Sequence, residues 1–103
     1  MKIENKTEFV NNLIIKLNSL FDNILVDVHL EDLSKKYYVR IKYCFLEFIN
    51  EEKIENIYYI DIDSTGLFTQ EAFFDYIVSI FKDKVIKNIL YDILGARYEI
   101  RIN

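Results

Sequence analysis

The sequence predicts an α+β domain of element order α-β-β-β-α-β, an antiparallel sheet with both helices packed on one face. Three observations lead there. Two long stretches, at residues 6–21 and 70–94, repeat apolar residues at helical spacing. Shorter stretches between and after them alternate apolar and polar residues as strands do. The chain has only two glycines and no proline, so its connections are short and built from Asn, Asp, Ser and Lys. Helices gathered on the apolar face of an antiparallel sheet are the simplest packing of such elements.

The first helix is expected from about Lys6 to Phe21. Asn5 caps it and Glu8 reaches back as the capping partner. Phe9, Val10, Leu13, Ile14, Leu17, Leu20 and Phe21 form its apolar stripe. Ile24–Leu30 is the first strand, with Ile24, Val26, Val28 and Leu30 inward and Asp27 and His29 outward. The polar segment Glu31–Lys36 turns the chain. Tyr37–Ile49 is the second strand, with Val39, Ile41, Tyr43 and Phe45 opposite Arg40, Lys42 and Cys44. The alternation slips beyond Phe45, which predicts a β-bulge near Cys44–Leu46. Asn50–Lys53 forms a hairpin loop, and Ile54–Asp63 is the third strand, with Tyr58, Ile60 and Ile62 inward.

Thr69 caps the second helix, with Glu71 in its first turn and Phe68 stapled against Phe73. Gly95 is its expected stop. An unbroken helix to that point is roughly 37 Å long at 1.5 Å per residue, and Lys82-Asp83-Lys84 is the place for a kink. A last strand follows at Ala96–Ile102, with Tyr98, Ile100 and Ile102 inward and Arg97, Glu99 and Arg101 outward.

With 103 residues the chain makes one domain, residues 1–103. Apolar residues at 51% and aromatic ones at 16% supply a core and exclude disorder. The single cysteine, Cys44, permits no internal disulfide. The opening residues lack the apolar core of a signal peptide, and no apolar run approaches the ~20 residues of a membrane span. The expected compartment is the cytoplasm, without membrane contact.

The net charge is −4, unevenly spread. Glu47, Glu51, Glu52, Glu55, Asp61, Asp63, Glu71 and Asp75 stand against Lys53 alone, so residues 47–75 carry −7 and the rest of the chain +3. Such a field repels nucleic acid and attracts basic surfaces.

Asp61-Ile62-Asp63-Ser64-Thr65-Gly66 is the one segment that looks like chemistry. It resembles the D-x-D-x-T opening of haloacid-dehalogenase-type phosphatases, which implies Asp61 as nucleophile, Asp63 as acid–base and Mg²⁺ as counter-charge. That family needs a doubly wound parallel sheet after the motif, and only some forty residues remain here. The segment also resembles the first half of an EF-hand, with Asp61, Asp63, Thr65 and Gly66 at ligand and turn positions. Position twelve, however, is Ala72, with Glu71 one residue early. The plain reading is a strand-to-helix connection whose side chains serve backbone N–H groups. His29 beside Asp27 is a candidate general base with no nucleophile assigned to it, and Cys44 reads as a packing residue. No phosphate loop, dinucleotide fingerprint or Cys/His metal spacing is present. The expectation is therefore a non-enzyme without cofactor, metal or catalytic residues.

The order α-β-β-β-α is similar to that of the double-stranded-RNA-binding domain. That family grips phosphates with basic residues at the start of its last helix, where this chain has Thr69-Gln70-Glu71 and Asp75. Direct nucleic-acid binding is not expected, and Lys35, Lys36, Arg40 and Lys42 are only a minor basic surface. In size, acidity and element order the chain resembles anti-CRISPR proteins of phages and mobile elements, and immunity proteins against toxic nucleases. That resemblance implies an inhibitor whose acidic surface covers a basic protein partner, such as a nucleic-acid-binding Cas effector. The expected contact residues are Glu47, Glu51, Glu52, Glu55, Asp61, Asp63, Glu71, Asp75 and Tyr59. The alternative is a homo-oligomer, in its simplest form a homodimer, burying either the outer sheet face with Leu25, Ile57 and Tyr59 or an outer face of the second helix.

Overall fold

Asn5 opens helix α1 (Lys6–Ser19) in the computed structural model. Its Oδ1 accepts from the Glu8 N–H at 3.1 Å, and its Nδ2 donates to Glu8 Oε2 at 3.0 Å. The expected capping pair thus forms, with the Asn5 amide as the donor to Glu8. The structure describes residues 2–33, 36–45, 55–67 and 69–102, and the side chains among them except those of 32, 33, 36 and 90–102.

Three strands follow, β1 (Ile24–Leu33), β2 (Lys36–Phe45) and β3 (Asn56–Asp61), antiparallel and in the order β1-β2-β3. The register from Ile24↔Phe45 to Leu33↔Lys36 is continuous, so Glu31, Asp32, Leu33 and Lys36 of the expected turn segment belong to strands instead. Charge does not stop a strand whose outward face meets solvent. Pairing also runs regularly through Cys44 to Phe45, which leaves the described part of the expected bulge unkinked. Leu46, the loop Asn50–Lys53 and the Phe68 staple lie outside the described residues.

One face of the sheet is apolar from end to end. Val26 opposes Tyr43, Val28 opposes Ile41, and Val39 opposes Ile60. Phe9, Leu13 and Leu17 of α1 pack on this face together with Phe73, Ile77, Phe81 and Val85 of the second helix, α2 (Gln70–Ile102). Both helices therefore share one side, as the alternation of the three strands requires.

The far end of the chain corrects the expected order. Helix α2 runs without interruption through Lys82-Asp83-Lys84 and through Gly95, and Ala96–Ile102 is its last part, not a fourth strand. The order is α1-β1-β2-β3-α2, with a single 3₁₀ turn (Asp63–Thr65) before α2. Two physical reasons stand behind this. An alternation of seven residues is short enough to be compatible with a helix. A helix starting beside the end of β3 has also carried the chain roughly 37 Å by Gly95, and seven residues reach back at most about 25 Å. Arg97 and Arg101, expected on the sheet's outer face, belong to this helix instead. The longest dimension of the molecule, 52 Å, matches the roughly 50 Å of a 33-residue helix.

The last fully buried residue described along α2 is Val85. No helix among the described residues is long and apolar enough to cross a membrane.

Candidate partner-binding site

Strand alternation places Leu25, Asp27, His29 and Glu31 of β1, Tyr38, Arg40 and Lys42 of β2, and Ile57, Tyr59 and Asp61 of β3 on the face that no helix covers. Charges there are largely paired. Arg40 Nη1 meets Glu31 Oε1 at 2.8 Å, Lys42 Nζ meets Glu55 Oε1 at 3.5 Å, and His29 Nε2 meets Asp27 Oδ2 at 2.9 Å. The expected His–carboxylate pair thus forms in the open, half-exposed on both sides. Between these pairs stand Leu25, Ile57 and Tyr59, which are 55%, 51% and 51% exposed. Tyr59 meets Tyr38 edge-to-face at 6.5 Å. Cys44 is buried, in keeping with a packing role.

The predicted acidic surface does not stay together. Glu47, Glu51 and Glu52 lie outside the described residues. Glu55, Tyr59 and Asp61 belong to the open sheet face. Asp63 is exposed on the 3₁₀ turn, while Glu71 and Asp75 are carried by the first turns of α2, which packs on the opposite side.

There the structure supplies partners that charge counting along the sequence missed. Glu71 and Asp75 line a cleft of about 410 Å³ together with Glu4 and Glu8 from the start of α1. The two helix starts are held side by side by the Glu4 N–H, which donates to Gln70 Oε1 at 3.0 Å. Thr69 Oγ1 caps α2 by accepting from the Ala72 N–H at 3.1 Å. Phe9 and Phe74, in edge-to-face contact at 5.9 Å, contribute the apolar part of the lining. None of the four carboxylates is in an ion pair among the described residues. Acids in first helical turns are favoured by the helix dipole. What is particular here is that two helix starts bring their acids to one aromatic-lined cleft.

The Asp61–Gly66 segment is spent on its own backbone. Asp61 Oδ1 accepts from the Asp63 N–H at 3.0 Å, Ser64 Oγ donates to the Asp61 carbonyl at 3.1 Å, and Thr65 Oγ1 donates to the Ile62 carbonyl at 2.9 Å. Gly66 ends the turn at φ 69°, the left-handed region where glycine carries no Cβ penalty. No cluster of three or more metal-ligating side chains occurs among the described residues.

A second polar group joins α2 to the sheet. Asn88 Nδ2 donates to the Tyr43 hydroxyl and, at 3.4 Å, to Asn56 Oδ1. Lys84 Nζ lies 4.7 Å from the centroid of the Tyr58 ring, and the buried Tyr58 hydroxyl has no hydrogen-bond partner among the described residues. Burial pushes the Tyr58 phenol far above its ordinary range, with repulsion from Tyr43 adding to it. Burial also raises Tyr43, opposed in part by the Asn88 hydrogen bond. Both groups hold their protons more tightly in the folded chain than in the unfolded one, where tyrosine ionises near about pH 10. Their contribution to stability is complete below that pH and is lost as pH rises above it. Tyr58→Phe is expected to flatten much of that alkaline decline, measured by urea unfolding across the alkaline range.

The chain matches no protein-family model, no curated protein and no solved structure.

Proposed function

We propose that this chain is a non-enzymatic binding protein that inhibits a partner by occupying its basic surface, working in the cytoplasm. The observation that carries this reading is the cleft of Glu4, Glu8, Glu71 and Asp75 around Phe9 and Phe74. Four carboxylates outside any ion pair among the described residues, beside the partly exposed Phe74 ring, suit an arginine or lysine side chain, which gains ion pairs at the rim and cation–π contact with that ring. A nucleic-acid-binding effector presents such side chains where it grips phosphate, and the anti-CRISPR and immunity-protein readings both take that form. The acids of the open face contribute less, because Glu55 pairs with Lys42 and Asp61 holds its own turn.

The test is binding of the wild-type chain and a Glu8→Gln/Glu71→Gln/Asp75→Asn variant to purified Cas effectors and toxic nucleases, by interferometry at several salt concentrations. The expected result is at least about tenfold weaker binding by the variant and a shallower salt dependence. Equal binding by the two proteins would overturn the role of the cleft.

A second reading rests on Leu25, Ile57 and Tyr59, three half-exposed apolar side chains on one uncovered sheet face. Pairing of that face with a second copy would bury them. Light scattering of the wild-type chain and an Ile57→Lys variant separates the readings: a dimer that Ile57→Lys dissociates supports pairing, and a monomeric wild type removes it.

A further inference from the structure

Four charges in the first eight residues are sorted by sign onto two sites. Glu4 and Glu8 line the acidic cleft, while Lys2 and Lys6 line a separate recess of about 220 Å³. The remaining lining of that recess among the described residues is Ile3, Leu30, Ile62 and Tyr37, with no carboxylate among them. Ile3 and Ile62 are almost fully buried members of the core, and Leu30 packs against that core, which makes the floor apolar. The Ile62 N–H donates to the Tyr37 carbonyl at 3.2 Å and fixes the floor to the wall. The Tyr37 side is open, with 45% of the residue exposed, and Lys6 Nζ stands 4.8 Å from its ring centroid. Neither lysine is in an ion pair among the described residues.

We propose that this recess binds a small carboxylate bearing one ring or a branched apolar group, a site independent of the acidic cleft. Apolar walls with a few convergent polar groups are the general form of a small-molecule site. The volume equals about seven water molecules at roughly 30 Å³ each, enough for one ring and too little for a nucleotide. The apolar group enters between Ile3, Leu30, Ile62 and the face of Tyr37. The carboxylate stays at the mouth between Lys2 and Lys6, where partial desolvation strengthens both ion pairs. A phosphate finds neither a nest of backbone N–H groups nor a guanidinium among these residues and gains nothing from the apolar floor.

The experiment is an amide NMR titration of the whole chain with phenylacetate, alongside benzyl alcohol (ring without charge) and acetate (charge without ring). Phenylacetate is expected to give saturable shifts at Ile3, Lys6, Leu30, Tyr37 and Ile62 with a dissociation constant of about 1 mM or below. Benzyl alcohol and acetate are each expected to bind at least about threefold more weakly, and Lys6→Gln to weaken phenylacetate by a similar factor, the weight of one exposed ion pair. Lys6 is exposed, so the variant is expected to fold. Absence of saturable shifts, shifts centred elsewhere, binding of benzyl alcohol as tight as that of phenylacetate, or a Lys6→Gln affinity equal to that of the wild type would each overturn the proposal.

Discussion

Phe81→Ala is expected to lower unfolding stability by about 3–5 kcal/mol, a large part of the 5–15 kcal/mol that holds a domain of this size together. Phe81 is fully buried where three elements meet. Its ring meets Tyr43 of β2 edge-to-face at 5.5 Å and Phe21, just after α1, at 6.1 Å. Removing the ring forfeits its transfer from water and leaves a cavity bounded by two other rings, which cannot both close on it. The edge-to-face pairs add about 0.5–1.5 kcal/mol each to the area term. Ile86→Ala, five residues further along the same helix at a half-exposed position, is the control and is expected to cost no more than about 1 kcal/mol. Urea unfolding of both variants makes the comparison. A Phe81→Ala cost near that of the control would mean that α2 is not docked on the sheet at this point.

The same contacts show which parts of the fold a sequence can carry by itself. Val26, Val28, Val39, Ile41, Tyr43 and Ile60 are buried because alternation is a local property, readable two residues at a time. The helix starts at Asn5 and Thr69 are equally local, since each cap lies three residues from its donor. The path of the chain at Gly95 and beyond is not legible locally, for the complementary reason. Whether seven alternating residues pair or coil depends on whether an open strand edge lies within reach, and that is a property of the whole fold. The acidic cleft is non-local in the same sense. Glu4 and Gln70 are 66 positions apart, and only the docking of both helices on one sheet face makes them neighbours. Charge counting along residues 47–75 found Glu71 and Asp75 but grouped them with Glu55 and Asp61, which the sheet separates from them. The lysine-rimmed recess left no signal at all, because Lys2 and Lys6 meet Leu30, Tyr37 and Ile62 only through the folded chain.

Asn18→Ala is expected to cost about 2–4 kcal/mol, an unusual amount for a polar residue that is only partly buried. The reason lies in the edge of the sheet. β1 has β2 on one side only, so every second residue of β1 turns its N–H and C=O away from the ladder. At Val26 the Asn18 side chain takes the place of a missing strand. Its Oδ1 accepts from the Val26 N–H at 3.0 Å, and its Nδ2 donates to the Val26 carbonyl at 3.3 Å. The same Nδ2 donates to the Ile14 carbonyl at 2.9 Å, one turn back in α1, and so ties that helix to the strand. Alanine would strand the donor and acceptor of Val26 beside a buried side chain, at about 1–3 kcal/mol for each group that water does not reach. Asn18→Asp separates the two halves of the clamp, because its carboxylate still accepts from Val26 N–H but cannot donate to either carbonyl. Its expected stability is intermediate between the wild type and Asn18→Ala. Hydrogen exchange at the Val26 amide adds a local readout: strong protection in the wild type, retained in Asn18→Asp and lost in Asn18→Ala. Equal stability of all three proteins would show that solvent, and not Asn18, satisfies this edge. An edge closed in this way at Val26 also offers no free backbone pair there for a second chain to extend, so pairing between copies through the outer face would have to use Leu25, Ile57 and Tyr59 themselves and not this part of the β1 backbone.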